Sequence, residues 1–280
     1  MDKSNNSTVD GGRLTVLPNL FTLLNLIFGC IAIVLILQTG ETIVMLEYTG
    51  ATQVMLPEKI WWGSLFIFAA AIIDFFDGFL ARLLNADSEM GKQLDSLSDV
   101  VSFGVAPGLI LYQLLRISFA QEEESLDTSI IALLPAFIFT CAVAWRLAKF
   151  NISTHQKHHF EGVPSPAAAL VVASFPLILL YQYFGIHTLF INKWFLYGII
   201  ILLSWLMLSR QEFIAMKFSG YSFAKNIGKY ILIIISVIAI IALQWLAIPV
   251  IFIAYIALSF FTKKTETVVY KSEETIDITV

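Results

Sequence analysis

The sequence predicts an all-α polytopic membrane protein with about eight transmembrane helices. Three observations predict it. Hydrophobic residues make up 58% of the 280-residue chain and charged residues 14%, against roughly 25% charged in a soluble domain. Apolar segments near the roughly 20 residues a spanning helix needs recur at about 19–40, 61–84, 95–117, 129–150, 165–184, 192–209, 227–243 and 246–261. With eight crossings and a cytoplasmic N-terminus, fourteen of the 17 Lys and Arg residues fall inside; Lys59, Arg116 and Lys193 fall outside. An even number of crossings keeps Lys263 and Lys264 inside. The expectation is a cytoplasmic segment 1–18, one membrane domain 19–261 and a cytoplasmic tail 262–280, in the inner (cytoplasmic) membrane. The first residues are polar and the first apolar segment is long enough to span, so no cleavable signal peptide is expected.

Pro18 reads as a breaker before the first span. Asn19, Thr22, Asn25 and Gly29 then follow three, three and four apart, on one helical face. Two readings fit: a small-polar packing stripe, or a polar pocket at the cytoplasmic end. Residues 41–60 form an outer loop suited to a short hairpin. Trp61 and Trp62 read as interfacial anchors of the second span. Cys30 and Cys141 lie inside predicted spans and read as buried packing residues. The last two segments are parted only by Gln244, Trp245 and their neighbours, so one long buried hairpin and two separate spans both fit.

The second and third spans carry the chemistry. Asp74 and Asp77 are three apart, and Asp95 and Asp99 four apart, so each pair shares one face of a helix. Four carboxylates gathered at low dielectric repel strongly. Divalent cations held by oxygen ligands, Mg²⁺ or Mn²⁺ first, are the simplest counter-charge. Gly78 and Ala81 leave room for a ligand beside them, and Arg82 suits a phosphate oxygen. Gly91 permits a tight turn before Asp95. Ser102, Gly104, Ala106, Pro107 and Gly108 predict close helix packing and a kink.

Further along, Arg146 and Lys149 share a face at the cytoplasmic end of the fourth span. His155, His158 and His159 follow without the ligand spacing of a zinc site. Pro164 and Pro166 set a non-helical approach to the fifth span, with Ser165 as a cap and the loop as a pocket wall. Arg210 lies after the sixth span, on the same side. Acids ringed by Arg and Lys at the bilayer edge suit a lipid phosphate or diphosphate. An ion-coupled transporter is the rival class, because intramembrane acids also mark ion paths; its sites tend to lie nearer the midplane. Neither charge nor aromatic pattern supports nucleic-acid binding.

Asp74-x-x-Asp77-Gly78-x-x-Ala81-Arg82, eight residues, then Gly91-x-x-x-Asp95-x-x-x-Asp99 resembles the signature of the CDP-alcohol phosphatidyltransferases. Those enzymes replace the CMP of a CDP-linked lipid with an alcohol. The resemblance implies two divalent cations, Mg²⁺ or Mn²⁺, with Asp74, Asp77 and Asp95 chiefly as ligands. It implies Asp99 as the base, close to the second metal, beside Asp95. Gly78 and Ala81 would admit the cytidine nucleotide, with Asp74, Arg82, Thr22 and Asn25 in the same pocket. A homodimer with a six-span core is implied, leaving two C-terminal spans as additions. Residues 18–29, 146–151, 160–169 and 206–209 resemble the branch that joins CDP-diacylglycerol to L-serine within membrane lipid; the likeness runs over about residues 15–230. Lys149 stands where that branch is expected to have a second arginine, keeping the charge without the planar fork. Arg146 and Arg210, with Lys149 behind them and Pro164 and Ser165 as a wall, are then the acceptor-binding residues. Glycerol phosphate, inositol phosphate and choline are the alternative acceptors.

Overall fold

A computed structural model describes residues 16–38, 44–46, 52–54, 59–84, 88–121, 129–152, 162–181, 185–211, 213 and 227–260. Helix α1 covers Val16–Leu37. Pro18 lies inside its first turn, where the missing N–H has no intrahelical use; it does not break the chain there. A two-stranded antiparallel hairpin follows, β1 (Val44–Leu46) with β2 (Thr52–Val54), in the register Val44 opposite Val54. Helix α2 covers Ile60–Leu83, with the rings of Trp61 and Trp62 stacked 4.5 Å apart at its head.

Helix α3 (Glu89–Asp99) runs through a π-helical turn, Val100–Val105, into α4 (Ala106–Ala120). The turn follows from Pro107. Proline has no N–H for the carbonyl four residues back and its ring crowds that carbonyl. Widening the turn relieves this, and Ala106 N–H reaches back five residues to the Val101 carbonyl. After the short α5 (Ile130–Leu133), Pro135 divides the fourth predicted span, leaving α6 over Ala136–Ile152. Helix α7 covers Ser165–Tyr181, α8 His187–Phe190 and α9 Lys193–Leu208. Asn192 caps α9 by accepting the Trp194 N–H at 2.9 Å.

These elements form one compact unit, within Met1–Ser153 and Pro164–Leu208. Helices α4 and α7 fill its centre; every residue from Val171 to Leu179 is buried. The second unit lies within Thr154–Val163 and Ser209–Val280. It holds α10 (Ile227–Leu243), a 3-10 turn Gln244–Leu246 and α11 (247–260). Gln244 takes a left-handed φ of 50°, which no straight α-helix tolerates. Phe213 stacks on Tyr255 at 5.9 Å in this unit.

Four helices among the described residues are long and apolar enough to cross a membrane, not eight: Pro18–Leu37, Ile60–Leu83, Glu89–Ala120 and Tyr230–Phe260. The third is longer than the sequence predicts because the polar α3 joins α4. The fourth merges the two last predicted spans across Gln244. The other predicted spans are short: α6 and α7 have 17 residues each and α9 has 16. At 1.5 Å per residue they rise about 24–26 Å, less than the roughly 30 Å hydrocarbon layer. The protein is an all-α, multi-pass membrane protein.

Exposure follows from that medium. Phe75, Phe76, Phe79 and Leu83 point outward from α2, as lipid-facing side chains do. Cys30 and Cys141 are free and exposed, which corrects the expectation of burial. Lipid is as apolar as a core, so an apolar sequence position does not separate the two.

Candidate active site

Small and apolar residues at Ile60, Gly63, Ser64, Ile67 and Ala70 form the buried stripe of α2. Asp74 and Asp77 continue it by one helical turn. The stripe packs antiparallel against α1: a Cβ at Gly63 would come within 2.6 Å of Ile36 Cγ1 and 3.0 Å of the Ala32 carbonyl. Asp77 is 5% exposed, beside the Thr22 hydroxyl and the Gly78 N–H, and within the field of Asp95.

Helix α3 begins where Ser88 Oγ accepts the Gly91 N–H at 2.9 Å. A serine three residues before the first helical turn closes is the sequence signal of this cap. A Cβ at Gly91 would sit 2.9 Å from both Asn19 Oδ1 and Ser88 Oγ, so glycine lets α3 close on α1. Three buried donors then lace the helices together. Ser98 Oγ donates to the Thr22 carbonyl at 3.0 Å, Ser102 Oγ to the Asn25 carbonyl at 3.0 Å, and Gln113 Nε2 to the Ile36 carbonyl at 3.1 Å. Gly29 meets Ser102 so closely that any Cβ would collide with its Oγ. The polar face of α1 is therefore a packing stripe over most of its length, and at Asn25 it also reaches the acids. Asn25 Nδ2 donates to Asp99 Oδ1 at 3.3 Å.

The result is a cluster. One carboxylate oxygen each from Asp74, Asp95 and Asp99 lies within 4.8 Å of the others. Asp77 stands one turn along α2, outside that trio, and its buried Oδ2 has no hydrogen-bond partner among the described residues. At an effective dielectric of about 20, each ionised pair at this separation repels by about 3 kcal/mol. Three such pairs rival the whole stability of a typical fold. The donor set fits a divalent cation: all oxygen, anionic, from two helices, with a further carboxylate oxygen in reserve. The tri-aspartate cluster can coordinate one such ion.

Gly78 has a different environment from the packing glycines. Among the described residues a Cβ there would meet a single atom within 4 Å, Arg82 Nη2 at 3.9 Å. Packing gives no reason for glycine, so the space beside the cluster is open to a ligand. Arg82 is exposed and folds back, its Nε donating to the Gly78 carbonyl at 2.8 Å. Ala81 is half-buried.

Of the expected acceptor residues, Arg146 Nη1 donates to Ser165 Oγ at 3.1 Å, joining α6 to the start of α7. Lys149 and Pro164 are half-buried. A clasp missed from sequence ties α6 to α3: Asn151 Nδ2 donates to Ser96 Oγ at 2.8 Å, and Lys92 Nζ to the Asn151 carbonyl at 3.2 Å. It fixes Ser96, the neighbour of Asp95. Arg210 is exposed and belongs to the second unit. His155, His158 and His159 lie outside the described residues.

The protein-family description "CDP-alcohol phosphatidyltransferase" matches residues 15–207. The chain is 36% identical over 148 residues to the CDP-diacylglycerol–serine O-phosphatidyltransferase of Bacillus subtilis strain 168, covering 51% of this chain and 78% of that one. It is 35% identical over 203 residues to the protein of the same name from Helicobacter pylori strain J99, covering 71% and 72%. A third of that name, from Methanocaldococcus jannaschii, is 40% identical over 109 residues, covering 39% and 47%.

Proposed function

The chain belongs to the CDP-alcohol phosphatidyltransferase family, and from that premise we propose that it transfers the phosphatidyl group of CDP-diacylglycerol to the hydroxyl of L-serine, giving phosphatidylserine and CMP. The observation that carries the chemistry is the meeting of Asp74, Asp95 and Asp99 from two helices within 4.8 Å. The likeness to three serine-named relatives carries the acceptor.

Asp74, Asp77, Asp95 and Asp99 would hold two divalent cations, Mg²⁺ or Mn²⁺. Bound there, the ions supply charge neutralisation for the diphosphate and its leaving oxygen. Asp99 takes the serine hydroxyl proton. The serine oxygen bonds to the phosphorus that bears diacylglycerol, and the bond from that phosphorus to the CMP oxygen breaks. The open space at Gly78, with Ala81 and Asp74 beside it, receives the nucleotide diphosphate; Arg82 swings from its own helix to a phosphate oxygen. Thr22 forms the α1 wall of this pocket. Arg146, held by Ser165, presents a planar fork to the serine carboxylate, with Pro164 as a wall and Lys149 as further positive charge.

A homodimer in membrane lipid is part of the same reading. So is a six-span core with two C-terminal crossings, in the inner membrane, with both termini and the site cytoplasmic. The charge asymmetry of the sequence supports that orientation. The test is CMP release from CDP-diacylglycerol by purified protein in detergent with Mg²⁺ or Mn²⁺. L-serine, glycerol 3-phosphate, inositol phosphate and choline are offered in parallel. Release that requires both metal and serine, with phosphatidylserine formed, is the expected result. Release with a different alcohol overturns the acceptor; silence with all of them overturns the transfer.

A further inference from the structure

Asn25 sits where the helix lacing meets the acids. Its side chain is wholly buried. Nδ2 donates to Asp99 Oδ1 at 3.3 Å, and its backbone carbonyl accepts from Ser102 Oγ at 3.0 Å. The amide orientation is dictated by what it faces. Turning it over would set Oδ1 against a carboxylate oxygen, acceptor against acceptor, and an ionised carboxylate takes only donors. A wholly buried amide offers no surface to a nucleotide. It acts on what it touches, and the reacting group it touches is Asp99.

The backbone of Asn25 is itself fixed. Ser98 holds the carbonyl of Thr22 and Ser102 that of Asn25, while Gly29 allows α1 to seat against Ser102. The amide is thus a rigid donor on a rigid helix. One hydrogen bond to it restrains rotation of the Asp99 carboxylate and leaves the second oxygen for the hydroxyl proton. Misplacement of a reacting group by about 1 Å is enough to cost about 100-fold in rate.

We infer that Asn25 is a positioning residue for Asp99, setting turnover through this hydrogen bond and leaving the affinity for both substrates almost unchanged. The inference rests on the transfer reaction proposed above. It differs from the pocket-wall expectation, under which Asn25 contacts the nucleotide.

The test uses the full-length purified protein in detergent with Mn²⁺, CDP-diacylglycerol and L-serine. Asn25→Leu keeps side-chain size and removes the donor. Asn25→Ser is the second variant: small and polar, well tolerated between membrane helices, and too short to reach Asp99. Ser102→Ala removes the neighbouring bond to the same α1 residue without touching Asp99. Both Asn25 variants are expected to lower kcat by about 30- to 100-fold with each KM within about threefold of the wild type, while Ser102→Ala keeps at least about a third of kcat. A tenfold rise in the KM for CDP-diacylglycerol with kcat preserved overturns the inference in favour of a nucleotide contact. Equal kcat losses in Asn25→Leu, Asn25→Ser and Ser102→Ala, with equal falls in thermal stability, reduce Asn25 to helix packing. A wild type active only with another alcohol removes serine from the proposed function, and the variant comparison is then decided on that alcohol. A wild type silent with every alcohol overturns both readings.

Discussion

Replacing Gly78 with alanine should stabilise the protein and disable it. Gly78 lies inside α2, where alanine is favoured over glycine by about 0.5–1 kcal/mol. Among the described residues nothing opposes the change: the added Cβ would meet only Arg82 Nη2, at 3.9 Å, an ordinary contact with the end of a flexible side chain. The expected gain in melting temperature is about 1–4 °C. The same methyl group stands in the space assigned to the diphosphate, one residue from Asp77. A shift of the reacting phosphorus by about 1 Å costs about 100-fold in turnover. The assay pairs thermal unfolding of the detergent-solubilised protein with metal-dependent CMP release. Opposite signs, stability up and activity down, are what an open ligand space requires. Full activity in Gly78→Ala refutes the placement of the diphosphate. Loss of stability together with activity shows that the glycine serves packing after all.

Gly29→Ala is the structural counterpart. Its Cβ collides with Ser102 Oγ and lies 3.0 Å from Ser102 Cα, so a loss of about 1–3 kcal/mol is expected, read as a lower melting temperature; an unchanged one contradicts the close contact of α1 with the π turn. Asp95→Asn removes one of the three clustered carboxylates. Mn²⁺ binding followed by electron paramagnetic resonance should weaken at least tenfold and turnover should vanish in a folded protein; retained turnover sinks the metal assignment. Arg146→Ala should raise the KM for serine by about tenfold or more, the equivalent of losing about 1.5–3 kcal/mol of charged hydrogen bonding. Arg146→Lys should fall between, because an ammonium lacks the fork.

The parts of the site legible in sequence are those that obey helical spacing. Asp74 with Asp77, and Asp95 with Asp99, had to share faces, and two acid-bearing faces in one membrane had to meet. The hairpin after α1 and the crowding near Pro107 were legible for the same local reasons. Rotation of one helix against the next was not. Spacing alone does not say that Asp74, Asp95 and Asp99 form the tight trio while Asp77 stands a turn away. It does not join Asn25 to Asp99, 74 residues later, or Asn151 to Ser96 across 55. Apolar runs also overstate spans. Pro135 cuts a span that composition alone carries through, and the two segments parted at Gln244 merge into one candidate span, Tyr230–Phe260.

The π turn explains how rotation and register are both satisfied on α3 and α4. In lipid the hydrophobic effect gives packed helices no preferred sliding position, so polar lacing must set it. From Ser98 to Ser102 the chain advances four residues while its acceptors, the carbonyls of Thr22 and Asn25, advance three. From Ser102 to Gln113, and from Asn25 to Ile36, both advance eleven. The single surplus residue falls where the widened turn Val100–Val105 begins, and a π turn is the helical means of absorbing one residue. With the surplus absorbed, Asp99 faces Asn25 before the turn, Gly104 faces Thr140 of α6 within it and Gly108 faces Thr140 after it; the Thr140 hydroxyl donates to the Gly104 carbonyl at 2.9 Å. Pro107 favours that widening, and one continuous rod meets α1 through Ser98, Ser102 and Gln113 and α6 through Ser96 and Gly104.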